Sequence, residues 1–302
     1  MQSCPQIFPS SSKSSDANTP DTEKTMKKFE NIIIASDLDG TFLSKSSGEV
    51  ARNIEKIKYF TEHGGLFTFS TGRIYPHILA AAPNAREYVN CPMVTCNGMC
   101  LYDVRAGESK KETLFDSSVL AELVEVLYAR YPDTAYRGIT RDGVVTFQPE
   151  NAYIKREMEK LKSKTYVIDR ASWADYPYHK LTLRDTPETL AEIRALLCEK
   201  YGDTFNIFAS EDTILEVQPN GVSKATLLLE LRDMLSEGGE RKTLYAVGDY
   251  ENDTEMLLAA DVAVCPANAM DKIKDICDLC LCDNDTGVIA DLIEHIDKNT
   301  GV

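Results

Sequence analysis

At 302 residues, 43% hydrophobic and 27% charged, the chain is long enough for two domains with sizeable cores and has the composition of an ordinary folded protein. A formal net charge of −15 argues against general affinity for nucleic-acid backbones or anionic membrane surfaces. No run of about 18 apolar residues occurs, so no membrane-spanning helix is expected.

Residues 1–28 are rich in Ser, Pro, Lys and Asp, poor in large apolar groups, and read as a disordered N-terminal extension. The apolar run Ile32-Ile33-Ile34-Ala35 then reads as a buried strand over 32–36. Asp37-Leu38-Asp39-Gly40-Thr41 comes directly after it. Two carboxylates two residues apart at the C-terminal end of a buried strand stand where open α/β sheets bind ligands. They would repel unless a cation shared the site, and Mg2+ is the usual hard partner of carboxylate oxygens. Gly40 supplies the turn, and Thr41 is placed to cap the next stretch of chain.

Val50, Ile54, Ile57 and Phe60 recur at helical spacing and predict a helix near 49–63, ended by Gly64-Gly65. A strand over 66–70 leads to Ser70-Thr71-Gly72-Arg73, whose hydroxyl and strand-end amide suit a phosphate oxygen or a helix cap. A helix after Arg73 and a strand at 93–96 complete a β-α-β-α-β pattern, hence a parallel sheet with right-handed crossovers.

Residues 104–215 carry a different, α+β pattern. Val119, Leu120, Leu123, Val124 and Leu127 predict a helix over 117–130. A hairpin turning at Asp142-Gly143, a polar helix near 151–162, a strand at 179–183, a helix over 187–200 and strands at 205–209 and 213–217 come next. Tyr136, Arg137, His179 and Lys180 are polar or aromatic groups here that either face a site or lie on ordinary strand surface.

The parallel pattern resumes with a helix over 222–236. Lys224 in its first turn opposes the helix dipole, which makes it a candidate anion ligand. A strand over 243–247 leads to Gly248-Asp249-Tyr250-Glu251-Asn252-Asp253, with Asp249 at a strand end and Asp253 four residues on. Two more carboxylates beside Asp37 and Asp39 would form an oxygen-rich cage for a divalent cation. A helix over 252–259 and a strand at 262–264 come after them. Ile276–Cys282 reads as a short buried strand whose cysteines pack as small hydrophobes, since no second Cys/His cluster would complete a zinc site. Nine cysteines, an odd number scattered over both halves, are expected to be free thiols in a reducing, cytoplasmic setting.

Taken together, Asp37-Leu38-Asp39, Thr71-Gly72-Arg73, Lys224 and Gly248-Asp249 through Asp253, in that order, resemble the haloacid-dehalogenase-like superfamily of phosphohydrolases. The Asn97-Gly98 pair and the tail Asp285-Thr286-Gly287-Val288-Ile289-Ala290 look like its subclass IIB, Cof-type branch. Ala225 after the lysine and Tyr250 inside the last motif depart from the common pattern without removing a catalytic group.

The resemblance implies an α/β fold: a Rossmann-like parallel-sheet core, residues 29–103 and 216–302, with an inserted α+β cap, 104–215. It implies a Mg2+-dependent phosphoric monoester hydrolase acting on small phosphorylated metabolites, sugar phosphates first, as a monomer or homodimer, with neither nucleic acid nor membrane as partner. Asp37 would be the nucleophile and Asp39 the general acid and base. Thr71, Gly72, Lys224 and Asn252 would bind the phosphoryl group. Asp37, Asp39, Asp249 and Asp253 would hold the metal. Arg73, Asn97, Arg137 and Lys180 are the substrate-contact candidates. Phosphoryl transfer to a sugar hydroxyl, or non-catalytic sensing of a phosphorylated ligand, remain open alternatives.

Overall fold

The computed structural model describes residues 27–161 and 164–300. The expected N-terminal extension therefore lies outside the described residues, apart from Lys27 and Lys28. No helix among those described is long and apolar enough to cross a membrane.

The chain opens with β1 (Ile32–Ser36), a minimal hairpin of β2 (Leu43–Ser44) and β3 (Gly48–Glu49), α1 (Ala51–Glu62) and β4 (Leu66–Phe69). Helices α2 (Tyr75–Ala81) and α3 (Ala85–Tyr88) lead to β5 (Met93–Thr95), β6 (Cys100–Asp103) and β7 (Glu108–Glu112). Then come α4 (Ser117–Arg130), β8 (Ala135–Ile139), β9 (Gly143–Thr146), α5 (Ala152–Leu161), β10 (Lys164–Val167), β11 (Lys180–Arg184), α6 (Pro187–Tyr201), β12 (Phe205–Glu211) and β13 (Ile214–Pro219). The last part supplies α7 (Lys224–Ser236), β14 (Thr243–Val247), α8 (Thr254–Ala259), β15 (Val262–Pro266), α9 (Asp271–Lys274), β16 (Leu279–Leu281) and α10 (Val288–Asn299).

The core sheet has the order β16-β15-β14-β1-β4, and every pairing in it is parallel. All five residues of β1 are buried, as suits an inner strand; only a strand covered on both faces accepts an unbroken apolar run. One core cluster packs Phe29, Phe42, Phe60, Phe67 and Phe69 with apolar residues of α1 and α10. Another packs Ile33, Leu244 and Ala263 against Leu227, Leu228 and Leu231 of α7.

The cap is a six-stranded sheet, β10-β9-β8-β11-β13-β12, mostly antiparallel, with its own core around Trp173, Tyr136 and Tyr178. Tyr136 is fully buried there, so it is cap core and not strand surface.

Three expectations need correction. β5 meets β4 only through the single parallel bridge Ser70–Val94 and otherwise pairs antiparallel with β6, because Gly98 lets the chain double back at once. The borders expected at 103/104 and 215/216 each fall inside a sheet: β7 pairs with β6 on the core side, and β13 runs through 216 within the cap sheet. The segment Ile276–Cys282 forms only the three residues of β16, an edge strand with one neighbour, so Cys280 is exposed.

Candidate active site

Asp37 is the first residue beyond β1. Its N–H donates to Val247 O at 2.8 Å, which locks the strand end to β14. The carboxyl is buried, and burial raises its affinity for a proton despite the neighbouring Lys224. Lys224 Nζ donates to Asp37 Oδ1 at 2.6 Å and to Asp253 Oδ1 at 2.6 Å. Burial lowers the lysine's affinity for its proton, but Asp253 and Asp37 outweigh it and hold the ammonium charged. The conflict of a cation in the first turn of α7 is thus resolved by two carboxylates, while Ser223 caps the helix. Asp37 Oδ2 has no hydrogen-bond partner among the described residues, and Asp37 stands on the cavity wall.

Asp253 is fully buried and fully committed: Oδ1 takes Lys224, and Oδ2 accepts the N–H of Asp249 at 2.9 Å and of Tyr250 at 3.2 Å. Asp37, Asp249 and Asp253 bring carboxylate oxygens within 4.8 Å of one another. With both Asp253 oxygens engaged, we read that residue as the organiser of the group, and Asp37 and Asp249 as its free faces. Asp249 accepts Thr41 Oγ1 at 2.6 Å, and its carboxyl is raised to about 7 by burial and by Asp253. Thr41 therefore orients a carboxylate instead of capping a helix. Gly40 has φ +77°, and a Cβ there would lie 2.3 Å from Asp249 Oδ2. Clustered carboxylates of raised proton affinity, cradled against a glycine, fit a hard divalent cation.

Asp39 points outward. Arg73 Nε and Nη2 reach its two oxygens at 2.6 Å each, a two-pronged ion pair. Thr71 is buried; its N–H donates to Val94 O at 2.9 Å, and its Oγ1 accepts the N–H of Arg73 at 3.2 Å.

These groups share a cavity of about 870 Å3 between core and cap. Asp37, Asp39, Thr71, Gly72, Arg73, Asp249 and Asn252 line its floor, and Arg137, Lys180, Arg184, Glu157, Glu211 and Glu216 its roof. The cations of the roof are each paired with carboxylates, and Asp212 adds a fourth acid to that wall. Arg137 Nε sits 2.7 Å from Glu157, Arg184 pairs with Glu157 and Glu211, and Lys180 pairs with Glu216. His77 also lines the wall; burial first, then Arg137, Arg73 and Lys180, lower it to about 4. Tyr250 reaches from the floor to cap residue Asp212 through a 2.6 Å hydrogen bond.

Of the cap candidates, Arg137 and Lys180 line the cavity, whereas His179 is buried against Glu112 Oε1 at 2.6 Å and away from it. Lys224 and Asn97 lie behind the floor, in a smaller space of about 290 Å3. Asn97 is buried against Gly72, so it is displaced from its expected place as a substrate contact. Sequence reasoning gave Thr41 only a capping role and Glu157 and Glu216 none. A Thr after Asp-Gly looks like turn chemistry, and a Glu on a strand looks like solvated surface.

The chain matches the family model of haloacid dehalogenase-like hydrolases over residues 34–293. It is 28% identical over 295 residues to a protein of Arabidopsis thaliana named as a chloroplastic endoribonuclease YBEY; the match covers 93% of this chain and 49% of that protein, so the chain spans about half its length. It is 25% identical over 286 residues to the 5-amino-6-(5-phospho-D-ribitylamino)uracil phosphatase YwtE of Bacillus subtilis, covering 87% of this chain and 97% of the relative. A crystal structure of a haloacid dehalogenase-like hydrolase from Bacteroides thetaiotaomicron superposes with a TM-score of 0.76 at 25% identity, covering 88% of this chain and 99% of that one.

Proposed function

The chain belongs to the haloacid dehalogenase-like hydrolases, and from that premise we propose that it is a member of their Cof-type subclass IIB and a Mg2+-dependent phosphohydrolase of small phosphate monoesters, sugar phosphates foremost. The observation that carries this reading is Asp37: one oxygen is held by Lys224, and the other is unpartnered among the described residues, on the wall of the cavity.

In this reading Asp37 Oδ2 attacks phosphorus in line. The bond to the leaving oxygen breaks, the leaving alkoxide takes a proton from Asp39, and an aspartyl-phosphate remains. Asp39 then takes a proton from water, whose oxygen attacks the phosphorus and frees phosphate and Asp37. The pair with Arg73 suits the second half, in which Asp39 acts as a carboxylate base. The first half requires Asp39 to turn away from Arg73 and carry a proton. Thr71 Oγ1 and the Gly72 N–H would donate to phosphoryl oxygens, with Asn252 beside them and Lys224 holding the nucleophile. Asp37, Asp249 and the backbone carbonyl of Asp39 would hold Mg2+, oriented by Asp253 and Thr41. When bound, it supplies positive charge to offset carboxylate and phosphoryl repulsion.

The alternating cations and carboxylates of the roof offer paired donors and acceptors, which suit a hydroxylated leaving group. The substrate named for the Bacillus relative is a ribityl phosphate and fits that description.

The test is phosphate release from a panel of sugar, sugar-alcohol, nucleotide and cofactor phosphates, with Mg2+ and with EDTA. Release should require Mg2+ and fall to background in Asp37→Asn; Asp39→Asn should lose about 10^2- to 10^4-fold in kcat. Phosphate transfer to added sugar with little free phosphate would favour the transferase alternative. Release that survives Asp37→Asn would remove Asp37 as the nucleophile.

A further inference from the structure

The backbone of Thr71 and Gly72 is held from behind. Asn97 N–H donates to Thr71 O at 3.0 Å, and Cys96 N–H donates to Arg73 O at 3.1 Å. A trans peptide points its C=O and N–H in opposite directions. With Thr71 O turned toward Asn97, the Gly72 N–H faces the other way, and it has no partner among the described residues. The phosphoryl-binding amide is thus aimed by the turn behind it.

That turn is a conformation the residues would not choose. Cys96 has φ +53°, Asn97 φ +54° and Gly98 φ +95°, three positive-φ residues in succession. Glycine is at ease there and asparagine tolerates it, but the cysteine does not. Asn97 is held by a carboxylate from the other sheet: its Nδ2 donates to Glu216 Oε2 at 2.7 Å. The same Glu216 pairs with Lys180, whose Nζ donates to Gly72 O at 2.8 Å. Ser210 Oγ donates to the second Glu216 oxygen at 2.8 Å. Glu216, Lys180 and Asn97 are each no more than 5% exposed.

We propose that Glu216 is a positioning residue: through Asn97 and Lys180 it holds the Thr71–Gly72 turn in its phosphate-binding form, and it does so only while the cap sheet is seated on the core. Glu216 lies on β13 and Lys180 on β11, adjacent strands of the cap. A cap that lifts takes both props with it. The phosphate site is therefore complete only under a closed cap, which ties phosphoryl transfer to the exclusion of bulk water. The inference rests on the phosphohydrolase reading.

Two substitutions test it, with inorganic phosphate plus Mg2+ as the binding probe and the best ester of the panel as substrate. Glu216→Gln removes the charge that pairs with Lys180 and leaves one oxygen for three donors, Asn97, Lys180 and Ser210, and is expected to weaken phosphate binding and lower kcat/KM about 10- to 100-fold. Glu216→Asp, which keeps the charge, should recover part of that loss. Asn97→Gly suits the left-handed backbone and should keep the thermal midpoint near that of the parent, yet lose phosphate affinity to a similar degree. The double variant should be no worse than the worse single, since both act through one unit. Parent-like phosphate binding and turnover in both single variants would overturn the proposal, as would losses that simply multiply in the double. Should Glu216→Gln fail to fold, Asn97→Gly carries the test alone. A parent that binds phosphate but cleaves no ester sinks the hydrolase reading while leaving the binding comparison intact.

Discussion

Individual side chains here are tuned by their surroundings. His77 is the clearest example. It is buried on the cavity wall among Arg137, Arg73 and Lys180, and its proton affinity falls from 6.5 to about 4. The unfolded chain thus binds a proton that the native state refuses between those values, and stability drops as pH falls through that window. The full difference is about 3 kcal/mol, from roughly 1.4 kcal/mol per pH unit. Urea unfolding at pH 6.5 and 4.5 should show a shallower loss in His77→Asn than in the parent. An imidazole that titrates near 6.5 by NMR would refute this. Lys224 teaches the same lesson from the other direction: its misfit with the helix dipole was visible in the sequence, but its partners 29 and 187 residues away were not.

At the level of elements, the turn after β1 is tightly constrained. Gly40 packs against the Asp249 carboxylate, and Phe42, the residue before β2, meets Phe69 edge-on at 4.9 Å. Gly40→Ala would force a Cβ into Asp249 and strain a left-handed backbone. We expect a folded protein whose Mg2+ affinity, by titration calorimetry, is about 10- to 100-fold weaker; unchanged affinity would separate Asp249 from the metal. Such elements were unequally legible. Ile32–Ala35, Leu66–Phe69 and Thr243–Val247 announce buried strands because each is a largely apolar run, and the residues after them are therefore placed at strand ends. The β6–β7 hairpin and β10 were missed because Glu108–Glu112 and Lys164–Val167 are polar or mixed, and β10 pairs with a strand some twenty residues back. The left-handed turn at Cys96–Asn97 carries no local signal beyond Asn97-Gly98, since its support comes from Glu216 on the other sheet.

Over the whole molecule, three carboxylates, Asp37, Asp249 and Asp253, and one lysine meet where two halves of the core join, and the repulsion among the carboxylates is a cost of folding that a bound cation would offset. Mg2+ at about a hundred times its dissociation constant should stabilise the native state by roughly 2.7 kcal/mol. The thermal midpoint should rise by several degrees, and Asp249→Asn should abolish the rise. The same join has a consequence for how the chain is made. β1 finds one neighbour, β4, within some thirty residues, but its other, β14, only about two hundred residues later, after the entire cap. During synthesis the first half must therefore wait, one edge of β1 bare, while the cap completes its own sheet. Closing so long a loop is slow, and an unpaired apolar strand is prone to wrong partners. Asp37 at the tip of β1 meets Lys224 only after 187 further residues have been made, and Asp249 and Asp253 later still.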